Sequence, residues 1–539
     1  VGRIDPKPAE EHGRSMSEFD LILRGGTVID GSGGAGVRAD IGLRRDRIAA
    51  VDDLTHAKAA AEIDARGLAV APGLIDVHNH SDGWLLKTRQ LVSKTMQGFT
   101  TEVLASDGIS YAPMTPELAP EWLYYLHSLN GLASADYTGW QTIGEYLAAL
   151  DRRGAQNAIT QVPYANVRVL TMGWGRQRPD DSQLRRMQYE VRQGMDEGAT
   201  GVSNGMDYIA QCFADTDELA AVIGASAPRR GVFVTHVRYK RGTLAGVREA
   251  VEIARRAGVA LHVSHLKGAN AREADEILEY IDKTAVHEVD FSFDIYPYLP
   301  GSTMLNSLLP NEVWEEGPLS VLPKLVDRGV RRRFAVQLAD YSLDLTQIRI
   351  AWVPSKENNH LAGMSLASFA ESRGKPPADA LCDLLIEEGL SVLCVFHIGD
   401  DRLVEPFLQH PKFMLGSDGI YFPDALVHPR QFGSAARILG PLVRDRRLFT
   451  LEEAVRKMTS IPAERFGLKD RGVIRSGAFA DLAIFDPATV TDRATFDDPQ
   501  QLASGVRHVL VNGTPIITDG TPVESFADRS PGRALRYRE

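Results

Sequence analysis

The sequence predicts an α/β protein: a (β/α)8 TIM-like barrel with a small β-sandwich domain formed by both chain ends and a lid insertion. Two patterns carry this expectation. Through the middle of the chain, apolar runs of four to seven residues alternate with helical stretches, the pattern of parallel strands covered by helices. At both ends the apolar runs are shorter and are separated by glycine, aspartate and arginine turns, the texture of small antiparallel strands. The size agrees: 539 residues, 44% hydrophobic and 24% charged, accommodate one large barrel plus a small domain and exclude a disordered or collagen-like chain.

Taken in order, residues 1–18 read as a flexible leader, polar and unlike a secretory signal, with regular structure starting after Met16. The runs Leu21-Ile22-Leu23, Thr27-Val28-Ile29, Ile41-Gly42-Leu43 and Ile48-Ala49-Ala50-Val51 open the sandwich domain, assigned to 19–70. The same texture returns in Ala480-Asp481-Leu482-Ala483-Ile484-Phe485 and in Val506-Arg507-His508-Val509-Leu510-Val511 before Asn512-Gly513, so 475–539 completes that domain. The barrel occupies 71–474, with strands expected at 74–78, 100–104, 167–171, 200–203, 232–236, 259–265, 291–296 and 413–417. A helix over 243–257 shows the covering layer well: Leu244, Val247, Val251 and Ala254 recur at helical spacing, and Gly258 ends it. Segments 348–353 and 392–396 are also strand-like and leave the strand count open. Residues from about 304 to 347 fit no compact crossover and read as a helical insertion over the barrel mouth.

Composition also narrows the partners. With 60 Lys+Arg against 71 Asp+Glu the formal charge is −11, which disfavours nucleic acid and anionic membranes as partners. Cys212, Cys382 and Cys394 are too few and too scattered for a disulfide framework, so a reducing, cytoplasmic location is expected. No run approaches the roughly 20 apolar residues of a membrane span. No phosphate-binding glycine loop and no Ser/His/Asp nucleophile motif is present; Gly31-Ser32-Gly33-Gly34 is a turn, and Arg331-Arg332-Arg333 a solvated face. Assembly into a homo-oligomer is left open.

Several expected strands end in residues that packing alone would not choose. His78 and His80 follow the first strand and, two apart, point to the same side, where both imidazoles can face one cation. His236, His265 and Asp418 close three other strands. Four of the 14 histidines and an aspartate therefore collect at the C-terminal strand ends, where barrel active sites are built. Nitrogen and oxygen ligands without thiolate favour zinc, with other divalent cations open. An aspartate that takes a proton from water and returns it to a leaving nitrogen is what amide hydrolysis requires, and Asp418 is that candidate. His397, after 392–396, is a candidate substrate contact.

The ordered set resembles the amidohydrolase superfamily, with His-x-His on the first barrel strand, histidines on the fifth and sixth, and an aspartate on the eighth. The resemblance extends to the N-acyl-D-amino-acid deacylases (D-aminoacylases). It is carried by Ala71-Pro72-Gly73-Leu74-Ile75-Asp76-Val77-His78-Asn79-His80, Val263-Ser264-His265-Leu266-Lys267, Tyr296-Pro297-Tyr298 with Gly301-Ser302-Thr303, and Gly416-Ser417-Asp418-Gly419 with His428-Pro429-Arg430. It implies one or two zinc ions per chain, a β-sandwich from the chain ends, a lid, and substrate held by Lys267, Tyr296, Ser302 and Arg430. The chemistry agrees, since Lys267 and Arg430 suit the carboxylate of an acyl amino acid and Tyr296 suits an oxyanion.

One departure stands out. Where D-aminoacylases usually carry a cysteine metal ligand after the second strand, this chain reads Ala105-Ser106-Asp107-Gly108, with Asp107 in that place. A carboxylate can bridge two cations but is a harder ligand than thiolate. Glu102 is the weaker candidate for a bridge, and no lysine ends the fourth strand to serve as a carboxylated ligand. The expectation is a zinc-dependent hydrolase of N-acyl-D-amino acids in which His78 and His80 bind one cation, His236 and His265 the other, and Asp107 bridges or completes the site. Asp418 manages the proton and touches the metal, and Tyr296 stabilises the oxyanion. The alternatives are an amidohydrolase for another amide (a lactam, a cyclic imide or a modified natural product) and a non-catalytic scaffold.

Overall fold

A computed structural model describes residues 17–341, 343–397, 399–526 and 529–538; the leader expected over 1–18 falls almost wholly outside them. Eight parallel strands run in ring order: β1 (Leu74–Asp76), β2 (Phe99–Leu104), β3 (Asn157–Thr160, continued by Val162–Pro163), β4 (Gly201–Gly205), β5 (Val232–His236), β6 (Ala260–Val263), β7 (Phe291–Ile295) and β8 (Phe413–Leu415). Gln161 interrupts β3, whose first piece pairs with β2 and whose second pairs with β4. Past the strand ends, Val77 N–H donates to Leu415 O at 3.4 Å and Asn79 bridges Gly419 in parallel, so β8 returns to β1 and closes the ring. Ile75, Val103, Ile159, Val232, Val234 and Met414 pack with Ala463, Phe466 and Leu468. Because Arg465 pairs with Asp290, the residue before β7, this apolar plug fills the N-terminal end and leaves the C-terminal end for polar side chains.

Seven strands fall where the sequence places them, and the third does not. The stretch expected as a strand at 167–171 lies in the helix Tyr164–Met172, and the strand precedes it at Asn157–Thr160. The helix is buried on most of its circumference, Arg168 included, so its apolar residues show no one-sided helical period. The strand itself begins with a polar residue held by tertiary bonds: Asn157 donates to Asp481 and accepts from Asn512.

The strand-like segments that left the count open belong to neither ring nor helix layer. Ile348–Trp352 and Gly301–Met304 both pair antiparallel with Leu393–Phe396, the central strand of a separate three-stranded sheet. The excursion therefore spans Gly301 to Phe396 and extends past the expected boundary at 347. Strands from both chain ends share one nine-stranded sheet, in which Ala69–Pro72 pairs with Leu482–Phe485, around an apolar cluster of its own. The last residues leave that sheet: Leu535 N–H donates to Ala158 O beside β3 at 2.7 Å.

The seam between β1 and β8 is bolted by charge. Lys94, fully buried, pairs with Asp76 and donates to Ser417 Oγ, while Ser417 N–H donates to Asp76 Oδ1 at 2.8 Å. Removing one partner of a buried pair strands the other charge. Lys94→Met is expected to lower the stability to chemical denaturant by about 3–5 kcal/mol, and Asp76→Asn on top of it to recover part of the loss. Equal denaturation midpoints for wild type and Lys94→Met would contradict this account.

Candidate metal centre

The seam sets the first ligands. Beyond β1 and β8 the chains stay zipped: Asp418 N–H donates to His78 O at 2.7 Å and His80 N–H to Gly419 O at 3.0 Å. This brings His80 Nε2 to 3.2 Å and His78 Nε2 to 3.6 Å from Asp418 Oδ1. Asp418 takes a left-handed backbone (φ 49°), as does His265 (φ 36°), so the strands turn sharply where their ligands leave them. From the other side of the ring, His236 at the end of β5 and His265 beyond β6 place Nδ1 and Nε2 3.0 Å apart.

Asp107 lies between the two pairs. Its Oδ1 is 3.7 Å from both His78 Nε2 and His265 Nε2, and its Oδ2 is 3.8 Å from His80 Nε2. Among the described residues three overlapping triads result, His78–His80–Asp107, His78–His265–Asp418 and Asp107–His236–His265, each with its ligand atoms within 4.8 Å of one another. Among the described residues, His78 Nε2 and Asp107 Oδ1 are buried without a hydrogen-bond partner, a costly arrangement that a divalent cation taking nitrogen and oxygen ligands would satisfy. The three cysteines take no part in these triads. The donor set therefore fits a cation at each histidine pair.

The electrostatics agree. Burial opposes charge on His78, yet Asp294, Asp107 and Asp418 together push it up to about 10. Burial likewise opposes ionisation of Asp107, but His78 and His265 hold its carboxyl far below the usual range. Asp418 is held down in the same way, against burial, by Arg430 and His78. Burial keeps His265 neutral, the form that ligates. Glu102 lies apart, taking hydrogen bonds from Gln156 and Ser81, and burial pushes it up to about 7.

The other expected residues form an adjoining shelf. Lys267 Nζ donates to Tyr296 Oη at 3.0 Å and to Leu299 O at 2.8 Å. Arg430 stacks on the Tyr296 ring at 4.5 Å and reaches Asp418 Oδ2 with NH1 at 2.8 Å. Ser302 contributes its main chain, since its C=O accepts from Arg430 NH2 at 3.0 Å while its hydroxyl donates to Cys394 O. His397 stands farther off: it packs on Phe496, which packs on His428, which in turn lies against Tyr296.

Sequence reasoning missed the residues that orient these ligands. Asp294 accepts from His265 N–H and from His262 Nε2, both at 2.9 Å, and lies 3.5 Å from His78 Nδ1. Asn130 Oδ1 meets His80 Nδ1 at 3.2 Å, and Tyr239 Oη meets His265 Nδ1 at 3.1 Å. A signal existed for Asp294, because it and Ser292 make a polar stripe inside an apolar strand beside His262. None existed for Asn130, which ends a helix 50 residues from its partner.

The sequence profile described as "Amidohydrolase family" matches residues 61–517, most of the chain. The chain belongs to the amidohydrolase family. Within it, this amidohydrolase is 35% identical to a D-aminoacylase of Alcaligenes xylosoxydans xylosoxydans, over 96% of this chain and 97% of that one. Its fold is similar to that of the N-acyl-D-glutamate deacylase of Bordetella bronchiseptica solved with zinc and a phosphonate mimic of the tetrahedral intermediate, at TM-score 0.82 and 33% identity, covering 96% and 99% of the two chains. A D-aminoacylase structure concerned with its binuclear metal centre matches at TM-score 0.78 and 33% identity, covering 96% and 100%.

The raised His78 makes a pH prediction. Below about pH 10 the metal-free centre holds a proton on His78 that a coordinated imidazole cannot keep. Cation binding at pH 8 is expected to release about one proton from this group, and affinity to rise with pH toward 10. Calorimetric titration in two buffers of different ionisation enthalpy measures the release; identical heats in both would refute it.

Proposed function

We propose that this amidohydrolase is a metal-dependent deacylase that cleaves the amide bond of N-acyl-D-amino acids, giving a carboxylate and a free D-amino acid. The observation that carries the reading is the continuity of the cation-ligating cluster with the Lys267–Tyr296–Arg430 shelf, the two meeting at Asp418. His78 and His80 would hold one cation, His236 and His265 the other, with Asp107 shared and Asp418 facing the first pair. The zinc of the solved relative and the donor set here make zinc the expected ion. When bound, such a cation polarises the scissile carbonyl and acidifies water.

The residues of this chain do the rest. Lys267 donates to Tyr296 Oη, so the phenolic proton is left to donate to the carbonyl oxygen as it gains charge. Arg430 Nε is buried without a partner among the described residues, and beside Lys267 it offers a donor to the substrate carboxylate. Asp418, kept ionised by Arg430 and His78, accepts the proton of the attacking water and delivers it to the departing nitrogen, without which an amine leaves poorly. Arg430 thus ties carboxylate binding to the orientation of the proton carrier.

Asp418→Asn is expected to retain metal and to lose at least about a hundredfold in turnover; metal analysis and amine release measured on one preparation check both, and undiminished turnover would remove Asp418 from this role. A panel of N-acyl D- and L-amino acids with cyclic amides, assayed for amine release, tests the substrate class. Hydrolysis of the cyclic amides alone would replace the reading with a cyclic amidase.

A further inference from the structure

The loop that carries Asp107 is strained. Ala105 and Asp107 adopt φ of 64° and 59°, left-handed values that residues with a β-carbon avoid, and Gly108 follows at 70°. The loop presses backbone to backbone on the end of β4: a β-carbon on Gly108 would lie 2.5 Å from Asn204 Cα, and one on Gly205 would lie 2.5 Å from Asp107 O. Opposite it, Ile209, Ala210 and Gln211 form a γ-turn of the rare positive-φ kind, with Ala210 at φ 61° and ψ −43° and Gln211 N–H donating to Ile209 O at 2.8 Å.

That second strained turn aims one side chain between the two loops. Gln211 is fully buried; its Nε2 donates to Asp107 O at 2.8 Å and its Oε1 accepts from Gly205 N–H at 2.8 Å. On the far side of the loop, Asp82 Oδ1 accepts from Ala105 N–H at 3.0 Å. The Asp107 carboxylate has Oδ1 buried and unpartnered among the described residues; Gln211 bonds the main-chain carbonyl of that same residue, while Asn79 N–H donates to the neighbouring Ser106 Oγ at 3.3 Å. Strain of this kind persists only where surrounding bonds over-determine it.

We propose that Gln211 is a positioning residue whose carboxamide holds the Asp107 loop against β4 and so sets the Asp107 carboxylate across both cation positions. The proposal rests on Asp107 being the shared ligand. With the bolt intact, Oδ1 faces the His78 and His265 nitrogens and Oδ2 faces His80. Without it, the loop is free to relax from its left-handed backbone, and a rotation of the carboxylate leaves one cation with two imidazoles only.

The test uses the full chain, Mn2+ as probe, and two substitutions. Gln211→Glu keeps an acceptor for Gly205 N–H and loses the donor to Asp107; Gln211→Met removes both bonds at similar volume. Wild type is expected to bind two Mn2+ by calorimetry, with the electron paramagnetic resonance signature of an exchange-coupled pair. Both variants are expected to bind the weaker Mn2+ about 10–100-fold less tightly and to lose the coupled signal, as loss of an outer support for a ligand does. If Gln211→Met fails to fold, Gln211→Glu decides alone. Two coupled Mn2+ bound with wild-type affinity by Gln211→Glu would overturn the clamp. Uncoupled or single Mn2+ binding by wild type would instead overturn the shared-ligand reading, and the clamp with it.

Discussion

The register between the first and last ring strands is the constraint on which the rest of the molecule depends. Lys94 and Asp76 are both removed from water and compensate each other, and Ser417 hydrogen-bonds to both. That alignment is also what faces His78 and His80 toward Asp418. A slip of one residue would turn the paired imidazoles to the other side and take the Ser417 hydrogen bonds away from the buried pair. Closing the barrel and assembling the centre are therefore one event energetically, and the cost of burying charge at the seam is met where the chemistry is placed.

Above the seam, three carboxylates and four imidazoles share a space that excludes most water. Asp107, Asp294 and Asp418 stay ionised against burial because His78 carries a proton between them and Arg430 adds a fixed charge beside Asp418. Arg430 links this electrostatic unit to the excursion of 301–396, since it binds both Asp418 and the main chain of Ser302. The position of that excursion is linked to Asp418 through one guanidinium.

Much of this was legible in the chain. His78, His80, His236, His265 and Asp418 were visible because each ends an apolar run, and side chains at strand ends need no tertiary knowledge to be placed at the ring mouth. Asp107 was found from its place in a motif, and the structure sets it among the same imidazoles. Tyr164–Met172 misled because a helix buried nearly all round keeps no polar face. The antiparallel strands of the excursion misled because a short apolar run carries no sign of which sheet it will join. Asn130, Tyr239 and Gln211 left no trace in sequence, their partners being 50, 26 and 104 residues away.

The sequence by itself determined which donors are present and that they collect at one end of an α/β ring, because strand periodicity and composition are local properties of the chain. Only the tertiary structure decided the distances among those donors, the left-handed turns that aim Asp107, His265 and Asp418, and the diversion of Arg430 onto Asp418. These depend on backbone contacts between segments far apart in the chain, and on how burial and neighbouring charge share protons among groups whose separation no single segment encodes.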